Sequence, residues 1–123
     1  MPRLMSSARI NMDMDEPRVY TVREYAGALD MRKWRERILE IDELRNDTLV
    51  DLRAARCNLS VMDQYDLAIF ALRQAGSRAY KYALVVGEHN IDAAETFVLV
   101  GSNRGLQVEL FTDPVTADHW LSR

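Results

Sequence analysis

The segment Thr48-Leu49-Val50-Asp51-Leu52-Arg53 is followed, after a short connection, by Ser60-Val61-Met62-Asp63. The first is apolar and β-favouring; the second places a hydroxyl three residues ahead of a carboxylate, as at a capped helix start. Strand, loop and capped amphipathic helix are the unit of a doubly wound α/β sheet. In such sheets ligands and partners bind beyond the carboxyl ends of the strands. One feature thus predicts both a fold class and the place to look for function.

The rest of the chain extends the pattern. Ile10-Asn11-Met12-Asp13-Met14-Asp15 alternates apolar and polar residues, Asp15-Glu16-Pro17 breaks the run, and Val19 to Tyr25 resumes it. The spacing predicts an antiparallel hairpin that ends where Gly27 turns the chain. Asp30 caps a helix expected through about Leu44, with Met31, Trp34, Ile38 and Ile41 as its apolar stripe. The helix from Ser60 is expected to bury Val61, Tyr65, Ala68, Ile69 and Leu72 and to stop at Gly76. Ala83 to Val86 reads as a strand covered on both faces. A helix from about Ile91 to Ser102 follows, with Asn90 as its cap and Asn103-Arg104-Gly105 as its stop. Leu106 to Phe111 is the last strand, and Asp113-Pro114 opens a terminal helix.

The predicted order is ββαβαβαβα. It describes one α/β domain with a mixed, mostly parallel sheet, an N-terminal antiparallel hairpin and helices on both faces. With 123 residues, a second independent core would be cramped. Residues 1–8 are expected to fray and residues 9–123 to form the domain.

Composition narrows the function. A net charge of −3 argues against a general nucleic-acid binder. Lys33 and Lys81 are the only lysines, an arginine bias that a GC-rich coding sequence explains. The lone Cys57 permits no intramolecular disulfide or cysteine-based zinc site. No apolar run approaches the roughly 20 residues of a membrane span. Met1 to Ser7 has no apolar secretory core, so a cytoplasmic protein is expected.

The crevice at the carboxyl ends is expected to present Arg53, Asn58, Ser60, Val61, Met62, Glu88, His89 and Asn90 to a ligand or partner. His89 with Glu88 and Asp92 is too small a set for a metal, and no cofactor is expected. Gly101 to Gly105 precedes a strand, so it is not a phosphate loop. Cys57 lies just ahead of a helix start, where a thiol can be activated, and His89 is a candidate base. A small cytoplasmic enzyme using Cys57 or His89 is therefore the alternative to a binding module. Asp51, amid apolar neighbours, needs a partner if buried.

The Val50-Asp51-Leu52-Arg53 strand leading to Ser60 resembles the STAS superfamily, the sulphate-transporter and anti-sigma-antagonist domains. The closer resemblance is to their stand-alone SpoIIAA-like relatives. It extends to Gly27 ahead of the first helix, to Gly105-Leu106-Gln107-Val108-Glu109-Leu110-Phe111, and to a last helix ending Trp120-Leu121. It implies a non-enzymatic regulatory or binding module that recognises a protein partner or a small apolar ligand at the loop–helix edge. In anti-sigma antagonists that helix opens with Asp-Ser-Ser-Gly, and the second serine is phosphorylated. Here Ser60 aligns with the first serine and Val61 with the second, and the acidic residue and glycine are missing. The usual phospho-switch is thus not expected, and Ser60 reads as a cap. The edge hairpin and outer helix faces offer apolar surface for a homodimer.

Overall fold

Strands and helices alternate along the chain in the computed structural model, which describes residues 19–75 and 80–123. They are β1 (Thr21–Ala28), α1 (Met31–Leu44), β2 (Thr48–Arg56), α2 (Val61–Ala75), β3 (Lys81–Val85), a 3₁₀ turn (Glu88–Asn90), α3 (Ile91–Asn103), β4 (Gln107–Phe111) and α4 (Pro114–Ser122). The expected first strand at residues 10–15, its turn, the frayed residues 1–8 and the helix stop at Gly76 lie outside the described residues.

Each described strand pairs in parallel with the next, giving the order β1-β2-β3-β4. Right-handed crossovers that always advance in one direction leave their helices on one face. Accordingly α1, α2 and α3 pack over Val50, Leu52, Leu84 and Val108. After the last strand no crossover constrains the chain, and α4 takes the other face. There Ala117 and Leu121 bury completely against Leu49, Ala83 and Val85. Helices do cover both faces, but the described sheet is wound one way. It has no reversal of strand order, and hence no switch-point crevice of the doubly wound kind.

Two boundaries differ from expectation for one reason. β2 runs on to Arg56 rather than stopping at Arg53, and β1 passes through Gly27 to Ala28. Ala26, Gly27 and Ala28 sit opposite Ala54, Ala55 and Arg56, beyond a register irregularity between Glu24 and Ala26. Pairing between the two segments extends both, and Gly27 supplies a φ of 83° within the strand rather than a turn. At the opposite end of the sheet Asp47 ties three strands together. Its carboxylate accepts the Lys81 N–H at 2.9 Å and its carbonyl accepts the Thr21 N–H at 2.9 Å.

Local signals set the helix ends. Asp30 Oδ1 accepts the Lys33 N–H at 2.9 Å, and Asp113 Oδ1 accepts the Val115 N–H at 3.2 Å. At the end of α3 the Leu106 N–H reaches the Gly101 carbonyl and the Gly105 N–H the Ser102 carbonyl, with Gly105 at φ 101°. This is the Schellman arrangement that the Asn103-Arg104-Gly105 stop implied. Among the described residues no helix is long and apolar enough to cross a membrane.

Candidate functional site

At the carboxyl end of β2 the sequence-predicted rim residues are largely committed to one another. Asp51 and Arg53 lie two apart on one strand and therefore share a face. Arg53 Nε donates to Asp51 Oδ1 at 2.9 Å and Nη2 to Oδ2 at 2.7 Å, and the Arg53 N–H adds a third bond at 3.1 Å. Burial pushes the Asp51 carboxyl up, but these bonds outweigh it and hold the group below its ordinary value. Glu24 and Asp113 add negative charge around the same guanidinium. An incoming anion would thus meet an arginine already neutralised by its own chain.

Asn90 does not cap α3. Its side chain is buried and points back across the loop, where Oδ1 accepts the Cys57 N–H at 3.3 Å and Nδ2 donates to the Ala55 carbonyl at 2.8 Å. Those two partners fix which way the amide faces, so Nδ2 also meets His89 Nε2 at 3.2 Å. His89 itself is exposed, and its ring folds over Gly87, where a Cβ would lie 2.7 Å from His89 Cε1. Glu88 and Asn58 are exposed as well.

Ser60 and Asp63 form a reciprocal capping box. The Asp63 N–H donates to Ser60 Oγ at 3.0 Å and the Ser60 N–H to Asp63 Oδ2 at 3.3 Å. Beyond the cap Val61 and Met62 are 64% and 65% exposed, so the buried face of α2 is rotated from the expected stripe. Gln64, Leu67, Ala68, Ala71 and Ala75 face inward instead. Gln64 is the residue that sequence reasoning missed there: its Oε1 accepts the Thr96 and Phe97 N–H groups at 3.0 and 3.2 Å, locking α2 to α3.

The concavity of the molecule lies beneath these helices rather than at the strand ends. A recess of about 100 Å³ opens between the sheet and α1, α2 and α3, with walls that are almost wholly apolar. Leu52 and Leu84 form its floor, Ile38 and Ile41 one wall, Leu67 and Phe97 the others. None of the eight rim residues named from the sequence lines it, although Cys57 and Leu59 from the same loop do. The space exists because α2 and α3 turn alanines toward the sheet (Ala71, Ala75, Ala93 and Ala94), where larger side chains would close it. Those alanines, at positions one to four apart on their helices, were the available sequence signal.

Two groups at the recess carry chemistry. Burial pushes the Cys57 thiol up to about 11, so it is protonated and non-nucleophilic near neutral pH. Tyr25, at the edge, is pushed up to about 12 by burial and by the Glu40 carboxylate, to which its hydroxyl donates at 3.2 Å. Arg37 stacks over the Tyr25 ring at 5.4 Å and bonds Glu40 at 2.9 Å, completing a polar closure on that side. Among the described residues no three His, Cys, Asp or Glu side chains gather as a metal site would require.

No family model matches this chain, and neither the curated proteins nor the solved structures yield a significant match.

Proposed function

We propose that the protein is a non-enzymatic, STAS-like binding module whose ligand is a small apolar molecule held in the recess beneath α1 and α2. The recess carries this reading: it is apolar on nearly every side, and it is of the same order as the roughly 150 Å³ cavity known to hold benzene. A single ring or short alkyl chain fits that scale. The protonated state of Cys57 supports binding over thiol chemistry. The STAS-like affiliation rests on the Val50 to Arg53 strand and the capped helix that follows. A cytoplasmic location is drawn from the sequence and belongs to the same reading.

A second reading, recognition of a protein partner or a second copy of the chain, is favoured by the exposure of Val61 and Met62 beside the Ser60 cap. Titration of ¹⁵N-labelled protein with toluene separates the two. Saturable shifts should appear at Leu52, Leu67, Leu84 and Phe97, and Ala71→Leu, which narrows the recess, should weaken binding about tenfold while the protein remains folded. Absence of saturable shifts at these residues would overturn the ligand reading. Changes that depend on protein concentration and are confined to Ser60–Asp63 would favour the partner.

A further inference from the structure

We infer that Trp34 is the polar anchor of the recess, and that its ligand is a neutral molecule of about one ring carrying a single hydrogen-bond acceptor directed at the indole N–H. This rests on the apolar-ligand reading above and specifies its chemistry.

Trp34 is 7% exposed, lines the recess, and its Nε1–H has no hydrogen-bond partner. Among the described residues it is the one buried side-chain polar atom left unpartnered. A buried donor without a partner is unfavourable, and native proteins satisfy nearly all of them. A water molecule is a poor candidate for the role. Buried water needs two to four polar partners, and the other polar side chains at the recess are already engaged. Tyr25 and Arg37 are bound to Glu40, and Asp42, Gln74 and Tyr82 each make interactions of their own. One acceptor on an otherwise hydrocarbon body satisfies the indole and leaves the apolar walls in contact with carbon.

The acceptor is neutral on the same grounds. A carboxylate would lose its hydration and gain a single uncharged donor, which does not compensate a buried charge. The nearest cation, Arg37, is already paired with Glu40 at 2.9 Å. Ketone, ester, ether or imine nitrogen therefore describes the class.

Three probes of nearly equal size test this: acetophenone with a neutral carbonyl, isopropylbenzene without an acceptor, and benzoate with a charged one. Trp34 and Trp120 are the only indoles, and Trp120 packs on the opposite face of the sheet, so it serves as an internal control. Acetophenone should move the Trp34 indole N–H resonance downfield and leave Trp120 in place; isopropylbenzene should bind without that shift. Trp34→Phe should weaken acetophenone about fivefold more than isopropylbenzene, the worth of one net hydrogen bond. Benzoate should bind at least about tenfold more weakly than acetophenone. If both neutral probes bind but neither the indole signal nor Trp34→Phe tells them apart, the anchor is wrong and the recess reading survives. If neither neutral probe binds, the recess reading fails as well. Benzoate binding tighter than acetophenone would overturn the neutral class. The indole signal is read on the unmodified protein, so the test holds even if Trp34→Phe does not fold.

Discussion

Asn90 and Cys57 show how one side chain acquires its role from residues far away in the chain. An asparagine just ahead of a helix reads as a cap, because capping is a contact over two or three residues. The structure spends that amide instead on the Ala55 carbonyl and the Cys57 N–H, 35 and 33 residues away, two backbone groups that would otherwise be buried unpaired. Cys57, held beneath this clamp, then behaves as a small apolar residue. Its protonated form is favoured in the native state, so its contribution to stability is complete below the ordinary thiol value near 9 and is lost as pH rises toward 11. Two pH units correspond to about a hundredfold less thiolate. At about pH 8, iodoacetamide should therefore alkylate native Cys57 at least ~100-fold more slowly than the same thiol in concentrated urea, followed by intact mass. Equal rates would show that the thiol is not held in the protonated state and would reopen the enzymatic alternative.

Helix starts and stops, by contrast, were legible in the sequence. Asp30, Ser60, Asp113 and Gly105 all act where local chemistry placed them, since each makes its bonds within a turn of its own position. Ser60→Ala removes one side of the α2 capping box and should lower the unfolding free energy by about 1 kcal/mol. The urea midpoint should fall with an unchanged slope. An unaltered midpoint would mean that Asp63 or water replaces the cap without loss. Strand extent was less legible. The ends of β1 and β2 depend on each other through Ala26 to Ala28 and Ala54 to Arg56, a pairing no local pattern announces. The buried face of α2 was misread for a related reason. Val61 and Tyr65 have apolar bodies at helical spacing, but the buried Gln64 belongs to the inner face because α3 supplies its partners.

At the scale of the whole molecule, direction of winding decides where a ligand can sit. A sheet whose described strands advance one way gathers three helices on a single face, and the space between layers becomes the natural cavity. The sequence revealed the alternation of strands and helices but not the strand order, which is settled by contacts between distant segments. Expectation therefore placed the site at the strand ends, while small residues on α2 and α3 open it between the layers. The central claim is that this recess is apolar and able to admit a small apolar guest. A crystal structure determined under xenon pressure tests it most directly, because apolar cavities take up the gas and polar, hydrated ones do not. The account predicts a xenon peak inside the recess, in contact with Leu52, Leu67, Leu84 or Phe97. Ordered water filling that space, or side chains closed over it with no xenon bound, would contradict it.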